Sequence, residues 1–391
     1  RRMANGITRR GFLTRYAAAA AGACVAPAIL PSSVFGADGH VVPSERITLG
    51  IIGMGKMCSG HLGGLIGREN VQILALCDVE SIRLGRCKEQ VEKAYSQRFG
   101  KDYRGCDTYE DFRDLLARPD IDAVFIATPT NWHAIMSIEA CKAGKDVYCE
   151  KPLSLSIREG RAVVEAATRY NRVFQTGSQQ RSDYSFRFAC ELVRNGLIGD
   201  VESIYINVGG PPAPCYLPAE PTPETLNWDL WVGPAPMRPY NQILCPLDDY
   251  RSWPRWRYYR DYGGGGMTDW GAHHFDIAQW AMGMDESGPV EIIPPECSEE
   301  KRLTYIYANG TRMVHGGATG GAGVELIGTK GRIGVNRGGF LETEPGDLKR
   351  IKWAPGDVRL YESTNHINDW LSCIRSRRQP ICHAEVGCRS I

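Results

Sequence analysis

Residues 47–57 read ITLGIIGMGKM, a short apolar run that ends in two closely spaced glycines and continues into a helical pattern. The pattern predicts a β-strand, a tight glycine turn and then an α-helix. Such a turn brings backbone N–H groups and the positive end of a helix dipole close to an anion. The stretch therefore predicts a diphosphate site formed by Gly53, Met54, Gly55, Lys56 and Met57.

A second predicted strand, residues 71–77, ends at Asp78, which lies 25 residues after Gly53. A carboxylate at this point binds the hydroxyls of an adenosine ribose and repels a 2′-phosphate. The sequence therefore favours NAD as the cofactor, while Arg83 leaves NADP open. The alternative interpretation is that Asp78 only caps the following helix.

Strands and helices keep alternating as far as residue 177, which predicts an α/β fold with a doubly wound parallel sheet of the Rossmann type. Ser156 and Glu159 have the spacing of a capping box at the start of one helix. Ligands of such sheets lie beyond the carboxyl ends of the strands. The candidate site residues at those ends are Thr128-Pro129, Glu150-Lys151-Pro152 and Ser178-Gln179-Gln180-Arg181.

From about residue 200 the pattern changes to short strands and long loops, which predicts a C-terminal α+β domain with an open, largely antiparallel sheet. Its strands are expected at residues 201–208, 303–307, 312–315, 323–327 and 333–335. A long insertion is rich in aromatic residues and arginine, which can stack on sugars and bind carboxylates. The alternative is that its tryptophans only pack a loop onto the core. The insertion contains Trp228, Trp231, Trp253, Trp256, Tyr258, Tyr259, Arg251, Arg255 and Arg257.

The composition indicates an ordinary globular chain of 391 residues that is 43% hydrophobic and 23% charged, long enough for two domains. Its 46 basic and 45 acidic residues give a net charge of +1, so nucleic acid is not expected as a partner and a small molecule is. No membrane span is predicted. The 14 cysteines form no C-x-x-C pair and are interpreted mostly as buried thiols. No metal site is expected.

The N-terminal segment has the pattern of an export signal. Thr8-Arg9-Arg10-Gly11-Phe12-Leu13 is a twin-arginine motif, and an alanine-rich apolar stretch follows at residues 17–30. We expect residues 1–37 to be a Tat signal peptide and the protein to be exported to a bacterial periplasm. The alternative is a short amphipathic helix at the N-terminus.

Taken in order, these motifs resemble those of the Gfo/Idh/MocA oxidoreductases over about residues 46–391. The resemblance is carried by Gly53-Met54-Gly55, by Ala127-Thr128-Pro129 with His133, by Glu150-Lys151-Pro152 and by the segment from Gly265 to Asp276. It implies that Lys151 contacts the reacting hydroxyl and the nicotinamide, and that the Pro152 peptide is cis. It also implies cofactor contacts by Thr128, Pro129, His133, Glu150 and Lys151.

Asp269 and His273 match the catalytic pair of the resembled family. Their spacing of four places both side chains on one helical face, where a carboxylate beside an imidazole suits a general base. Asp276 is expected nearby and His274 on the other side of the helix. The alternative is that this helix, with Phe275, only packs against the core.

The resulting hypothesis is an NAD(P)-dependent oxidoreductase that transfers hydride between a sugar, polyol or uronate CH–OH group and a tightly bound nicotinamide. Two alternatives stay open, a redox-neutral glycoside hydrolase like those of family 109 and a non-catalytic dinucleotide-binding protein. The expected domains are residues 46–177 for the cofactor and 178–391 for substrate and oligomerisation. The resemblance implies a homo-oligomer. Relatives continue into another helix beyond Gly387, so a truncated C-terminus is expected.

Overall fold

The computed structural model of the protein describes residues 45–100, 102–247 and 250–391. Residues 47–391 form one compact unit that contains two β-sheets. The predicted signal peptide, residues 1–37, lies outside the described residues. In the part of the chain that the structure describes, no helix has the length and apolar character that crossing a bilayer requires.

The first sheet is parallel throughout, with the strand order β3-β2-β1-β4-β5-β6. This is the order of a doubly wound dinucleotide-binding sheet, so the predicted Rossmann domain is confirmed. Its central strands are mostly apolar and buried because helices cover both faces. The strands are β1 (Ile47–Ile52), β2 (Val71–Cys77), β3 (Asp107–Tyr109), β4 (Ala123–Ile126), β5 (Asp146–Cys149) and β6 (Phe174–Thr176).

Helices connect these strands. The predicted capping box is confirmed, since Ser156 accepts from the Glu159 backbone while the Glu159 side chain accepts from the Ser156 backbone. The connecting helices are α1 (Lys56–Ile66), α2 (Ser81–Phe99), α3 (Phe112–Leu116), α4 (Thr130–Lys142) and α5 (Ile157–Arg169).

The second sheet is mixed and mostly antiparallel, with the order β13-β12-β11-β7-β10-β9-β8 and one parallel pair, β7 with β10. The predicted open sheet is therefore confirmed. Its strands are β7 (Val201–Ile206), β8 (Glu291–Ile293), β9 (Thr304–Ile306), β10 (Arg312–His315), β11 (Val324–Gly328), β12 (Gly331–Val335) and β13 (Leu341–Glu344).

Two helices, α6 (Tyr184–Arg194) and α8 (Gly265–Met282), bury their apolar faces in a core with the inner side of this sheet. The remaining helices are α7 (Trp228–Val232), α9 (His366–Ser376) and α10 (Ala384–Ser390). Short 3₁₀ helices lie at Gln179–Ser182, Arg255–Tyr258 and Gly346–Arg350. The described cysteines are buried except Cys215, Cys297 and Cys388, which confirms that most of them are buried thiols.

Helices α9 and α10 return to the first sheet and complete its core. Trp370 of α9 is fully buried, with its ring 5.5 Å from that of Tyr148 and 6.5 Å from that of Phe125. The backbone N–H of Thr176 in β6 donates to the carbonyl of Cys382, just before α10. The predicted boundary between residues 177 and 178 therefore does not separate the two cores completely, because residues after it return to the first sheet.

The glycine run at the start of α8 packs against the backbone of another segment. A Cβ on Gly265 would lie 2.6 Å from the carbonyl oxygen of Gly210, and one on Gly266 would lie 2.6 Å from the Cα of Gly209. The run thus lets two chain segments touch and fixes the start of the helix that carries Asp269 and His273.

Candidate active site

A cleft of about 810 Å³ runs along the carboxyl ends of the first sheet and reaches α8. It brings together most of the residues that the sequence singled out, although they are distant in the chain. The predicted site residues that line it are Gly53, Gly55, Lys56, Met57, Asp78, Thr128, Pro129, Glu150, Lys151, Asp269 and His273.

The glycine turn has the geometry that a diphosphate site needs. Gly53 has a φ of +91°, and a Cβ there would lie 2.8 Å from the backbone of Ala127. Gly55 is the N-cap of α1, and a Cβ on it would meet nothing within 4 Å. The turn is therefore closed towards β4 and open at the helix N-terminus, so these residues fit a dinucleotide.

Met54 does not reach the cleft with its side chain, which is fully buried in the core. Its backbone is occupied too, because its N–H donates to Asp78 Oδ2 at 2.5 Å and its carbonyl accepts from the Tyr250 hydroxyl at 2.8 Å. Met54 thus does not line the cleft and its main chain holds the turn in place, while its contact with the cofactor stays a prediction.

Asp78 lines the cleft at the end of β2, as predicted. Its second carboxylate oxygen accepts from the backbone N–H of Glu80 at 2.9 Å. The alternative that Asp78 caps α2 is wrong, because Glu80 accepts from Ile82 and Arg83 there. Burial raises the pKa of Asp78, and the nearby Arg83 guanidinium opposes that shift.

His133 lies beneath the cleft and is 1% exposed. Its Nδ1 is 2.6 Å from the carbonyl oxygen of Pro152, and its Nε2 is 2.9 Å from that of Thr128. Burial lowers the pKa of His133, although both carbonyls oppose the shift. The ring joins the loops that carry Thr128 and Lys151, and its predicted contact with the cofactor stays a prediction. The bond between Lys151 and Pro152 is cis, as the resemblance implied.

Glu150 anchors a network that the sequence did not reveal. Its Oε1 lies 3.2 Å from Nε2 of His61 on α1 and accepts from Gln179 at 2.9 Å. Burial alone would raise the pKa of Glu150, but His61 and Lys151 bring it below its ordinary value. The network links the diphosphate helix to the loop that carries Lys151.

Lys151 and Asp269 form the ion pair that joins the two halves of the site. The Lys151 ammonium donates to Asp269 Oδ1 at 2.7 Å and to the Asp269 carbonyl oxygen at 2.8 Å. Both side chains are partly exposed, at 14% and 16%, so they remain accessible from the cleft. An ammonium held in this way can stabilise negative charge on an oxygen beside it.

His273 is 3% exposed, and its Nδ1 has no hydrogen-bond partner among the described residues. Burial, helped by the charges of Lys151 and Arg337, lowers its pKa well below the ordinary value. A neutral imidazole with an unpaired ring nitrogen beside a cleft can accept a hydrogen bond or a proton from a ligand.

The expected contact between Asp269 and His273 is not formed within the described residues. Asp269 instead pairs with the Lys151 ammonium, a full positive charge that competes better for a carboxylate than a neutral ring does. Asp276 forms an ion pair with the buried Arg181 at 2.7 Å, so it does not support His273 either. His274 Nδ1 lies 3.0 Å from the carbonyl oxygen of Asn207. His273 thus lacks the carboxylate support that the spacing suggested.

The aromatic insertion is divided between the two interpretations. Trp228, Trp231 and Trp256 are buried in a cluster of their own and pack the loop onto the core, and Trp231 and Trp256 also line the cleft. Trp253 is 53% exposed and lines the cleft. The Arg257 guanidinium lies between Trp253 and Trp256, 4.9 and 4.4 Å from their ring centres.

Residues 246–247 and 250–254, here called the strap, cross over the glycine turn. Hydrogen bonds hold the strap to the first domain, and the Tyr250 hydroxyl also lies 3.8 Å from Cys87 Sγ. Tyr250 donates to Met54 as described, Lys56 Nζ donates to the Arg251 carbonyl at 3.0 Å, and Arg83 donates to the Pro246 carbonyl at 3.0 Å. The strap encloses the part of the cleft between Asp78 and the glycine turn.

Two family descriptions match this chain. Residues 47–178 match the Gfo/Idh/MocA description "Oxidoreductase family, NAD-binding Rossmann fold". Residues 213–391 match its partner, "Oxidoreductase family, C-terminal alpha/beta domain". Together the matches cover the cofactor side and most of the second half.

Among curated relatives, the chain is similar to myo-inositol 2-dehydrogenase of Thermotoga maritima, with 27% identity over 73% of this chain and 74% of the relative. It is 30% identical to a glycosyl hydrolase family 109 protein of Shewanella baltica, over 51% of this chain and 46% of the relative. It is 32% identical to the uncharacterized oxidoreductase YrbE of Bacillus subtilis, over 44% and 47%. The chain thus spans about half the length of the last two.

Among solved structures, the aldose-aldose oxidoreductase of Caulobacter crescentus has a TM-score of 0.57 at 18% identity, over 88% of this chain and 94% of that one. The myo-inositol 2-dehydrogenase of Lactobacillus plantarum has a TM-score of 0.56 at 20% identity, over 88% and 94%. At these identities the similarity concerns the fold.

Proposed function

The chain belongs to the Gfo/Idh/MocA oxidoreductase family, with an NAD-binding Rossmann domain, and from this premise we propose that it oxidises or reduces a sugar or polyol. The reaction is hydride transfer between a CH–OH carbon of the substrate and a nicotinamide that stays bound between turnovers. The contact of Lys151 with Asp269, beside the unpartnered ring of His273, carries the proposal.

In the oxidation direction, His273 accepts the proton of the substrate hydroxyl while Lys151 donates a hydrogen bond to the same oxygen. The ammonium offsets the negative charge that develops there as the proton leaves. Asp269 orients Lys151. Glu150, through its contact with His61, holds the loop that carries Lys151. A bound nicotinamide supplies the acceptor for the hydride.

The strap supports the proposal that the cofactor is retained. A ligand between Asp78 and Gly55 lies beneath a segment whose hydrogen bonds to Met54, Lys56 and Arg83 must open for release. Such closure lengthens the residence time of a ligand. Mass spectrometry of the small molecules released from the denatured protein should identify NAD; NADP would contradict the predicted role of Asp78.

The test of the reaction is anaerobic addition of sugars, polyols and uronates to the purified protein, followed by the absorbance of reduced nicotinamide. At least one substrate should produce the absorbance in one turnover, and Lys151→Met should slow its appearance by about 100- to 1000-fold. Lys142→Met, which changes an exposed lysine paired with Glu139, is the matched control. No absorbance with any compound would contradict the proposal.

A second candidate, favoured by the similarity to family 109 proteins, is glycoside cleavage in which the sugar is transiently oxidised and then reduced again. Net nicotinamide reduction is then zero. Release of aglycone from chromogenic glycosides without an added acceptor would support this candidate and not the first.

Export and assembly also belong to this proposal. The twin-arginine motif supports export to the periplasm as a folded protein with its cofactor inside, and the open second sheet supports a homo-oligomer. Mass spectrometry of the N-terminus of protein from the periplasmic fraction tests the first. Size-exclusion chromatography with light scattering tests the second, and a monomer at micromolar concentration would contradict it.

A further inference from the structure

We propose that the substrate carries a negatively charged group, a carboxylate or a phosphate, and that Arg257 and Arg337 bind this group beside Lys151. The inference rests on the proposed function, because it assigns the substrate class of the same site. Both arginines line the cleft together with Asp269 and His273.

Arg337 is positioned by contacts that leave its charge unneutralised. Its guanidinium lies 4.5 Å from the ring centre of Trp270 on α8. The Gln180 amide, oriented to satisfy both of its neighbours, donates to the His273 carbonyl at 3.3 Å and accepts from Arg337 Nε at 3.0 Å. Gln180 is 4% exposed, so this anchor is fixed. In the described part of the chain, Arg337 forms no ion pair.

Arg257 approaches from the insertion and is more deeply placed, with 15% of its side chain exposed. One terminal nitrogen donates to the Pro254 carbonyl at 3.0 Å, and Nε lies 3.6 Å from Asp269 Oδ1. The tryptophan rings on this guanidinium keep water away from it, and burial lowers its pKa. A buried cation with so little compensation is stabilised by an anionic ligand.

The carboxylates near these arginines are already engaged. Asp269 is bound to Lys151 at 2.7 Å, which is closer than its approach to Arg257. Glu150 is held by His61 and Gln179. Three cations, Lys151, Arg257 and Arg337, therefore face this part of the cleft together with two carboxylates, Asp269 and Glu150. One positive charge is left over, which an anionic sugar balances and a neutral sugar does not.

The diphosphate of the cofactor does not explain Arg337. The glycine turn has its own donors at the N-terminus of α1 and its own lysine, Lys56. Arg337 lies instead against Trp270 and is linked through Gln180 to His273, which is the proposed proton acceptor. Its charge is therefore placed where the substrate reacts.

The test uses isothermal titration of the purified, cofactor-containing protein with D-glucuronate, D-glucose 6-phosphate and D-glucose at equal ionic strength. The first two probes carry a charge near carbon six and the third does not. At least one anionic probe should bind about tenfold or more tightly than glucose. Preference for glucuronate identifies the group as a carboxylate, and preference for the phosphate ester identifies it as a phosphate.

Arg337→Gln should weaken binding of the preferred anion by about 10- to 100-fold and leave glucose binding and the bound cofactor unchanged. Arg359→Gln is the matched control, because Arg359 is also stacked on a tryptophan, Trp353 at 5.2 Å, but does not line the cleft. It should leave all three affinities unchanged.

Equal binding of the three probes, or binding of none, would overturn the inference. So would an equal loss of glucose and anion binding, or a loss of bound cofactor, in Arg337→Gln. If the proposed function fails and the anion inference holds, the anion still binds through Arg337 but no compound yields reduced nicotinamide. Turnover of neutral sugars alone would overturn the anion inference and leave the oxidoreductase standing.

Discussion

Replacing Gly53 with alanine should destabilise the protein by about 2 to 5 kcal/mol. The φ of +91° disfavours any residue with a Cβ. The new Cβ would also lie 2.8 Å from the carbonyl carbon and oxygen of Ala127, and Ala127 cannot withdraw easily because its N–H donates to Ile52 at 2.8 Å. Backbone strain and steric overlap therefore add to each other at this position.

Gly55→Ala is the matched comparison, two residues further along the same turn. Its φ of −71° suits alanine, and its Cβ would meet nothing within 4 Å. The substitution should leave the free energy of unfolding of cofactor-free protein unchanged. It should nevertheless weaken NAD binding by about tenfold or more, because the methyl group stands where the diphosphate approaches the backbone.

The assay is urea unfolding of both variants and the unchanged protein after removal of the cofactor, together with NAD titration by calorimetry. Stability of Gly53→Ala equal to that of the unchanged protein would refute the account of the turn. So would a Gly55→Ala protein that binds NAD as tightly as before, since the open side of the turn would then not face the diphosphate.

Lys151→Met should lower kcat by about 100- to 1000-fold with the cofactor still bound, and a steady-state assay in which kcat is unchanged would exclude Lys151 from the chemistry. Asp78→Asn, which keeps an acceptor for the Met54 N–H, should lower the ratio of NADP to NAD dissociation constants by about tenfold, as measured by titration with each. Burial lowers the pKa values of His274 and His366 from 6.5 to about 4 in the folded protein. In the unfolded chain both histidines keep the ordinary value, so the unfolded chain takes up protons first on acidification. Their stabilisation is complete above pH 6.5 and falls as the pH drops towards 4, by about 1.4 kcal/mol per histidine at about pH 5.5. Thermal unfolding measured from pH 6.5 down to pH 4 tests this loss of stability, and a midpoint temperature that does not decrease over this range would contradict it.

The first sheet could be predicted from sequence because its signals are local. The strand before Gly53, the acid after β2 and the capping box at Ser156 each occupy a short window. Strands β3, β8 and β13 escaped prediction because they are short and partly exposed, so they lack the apolar runs of central strands.

The site was predictable as a set of residues and not as a set of contacts. Lys151, Asp269 and His273 do line one cleft, but Asp269 pairs with a lysine 118 residues away and not with the histidine one helical turn along. Helical spacing shows which side chains share a face of the helix, but it does not show which side chains of other elements bind them instead. The partnership of Glu150 with His61 escaped for the same reason, since the motif that marks Glu150 carries no signal for its partner on α1.

The return of α9 and α10 to the first sheet has a consequence for biosynthesis. Trp370 fills the space beside Phe125 and Tyr148, and the Thr176 N–H donates to the carbonyl of Cys382. A nascent chain that has emerged only as far as residue 177 still lacks that indole and that acceptor. The core of the first sheet therefore becomes complete only after Cys382 has left the ribosome.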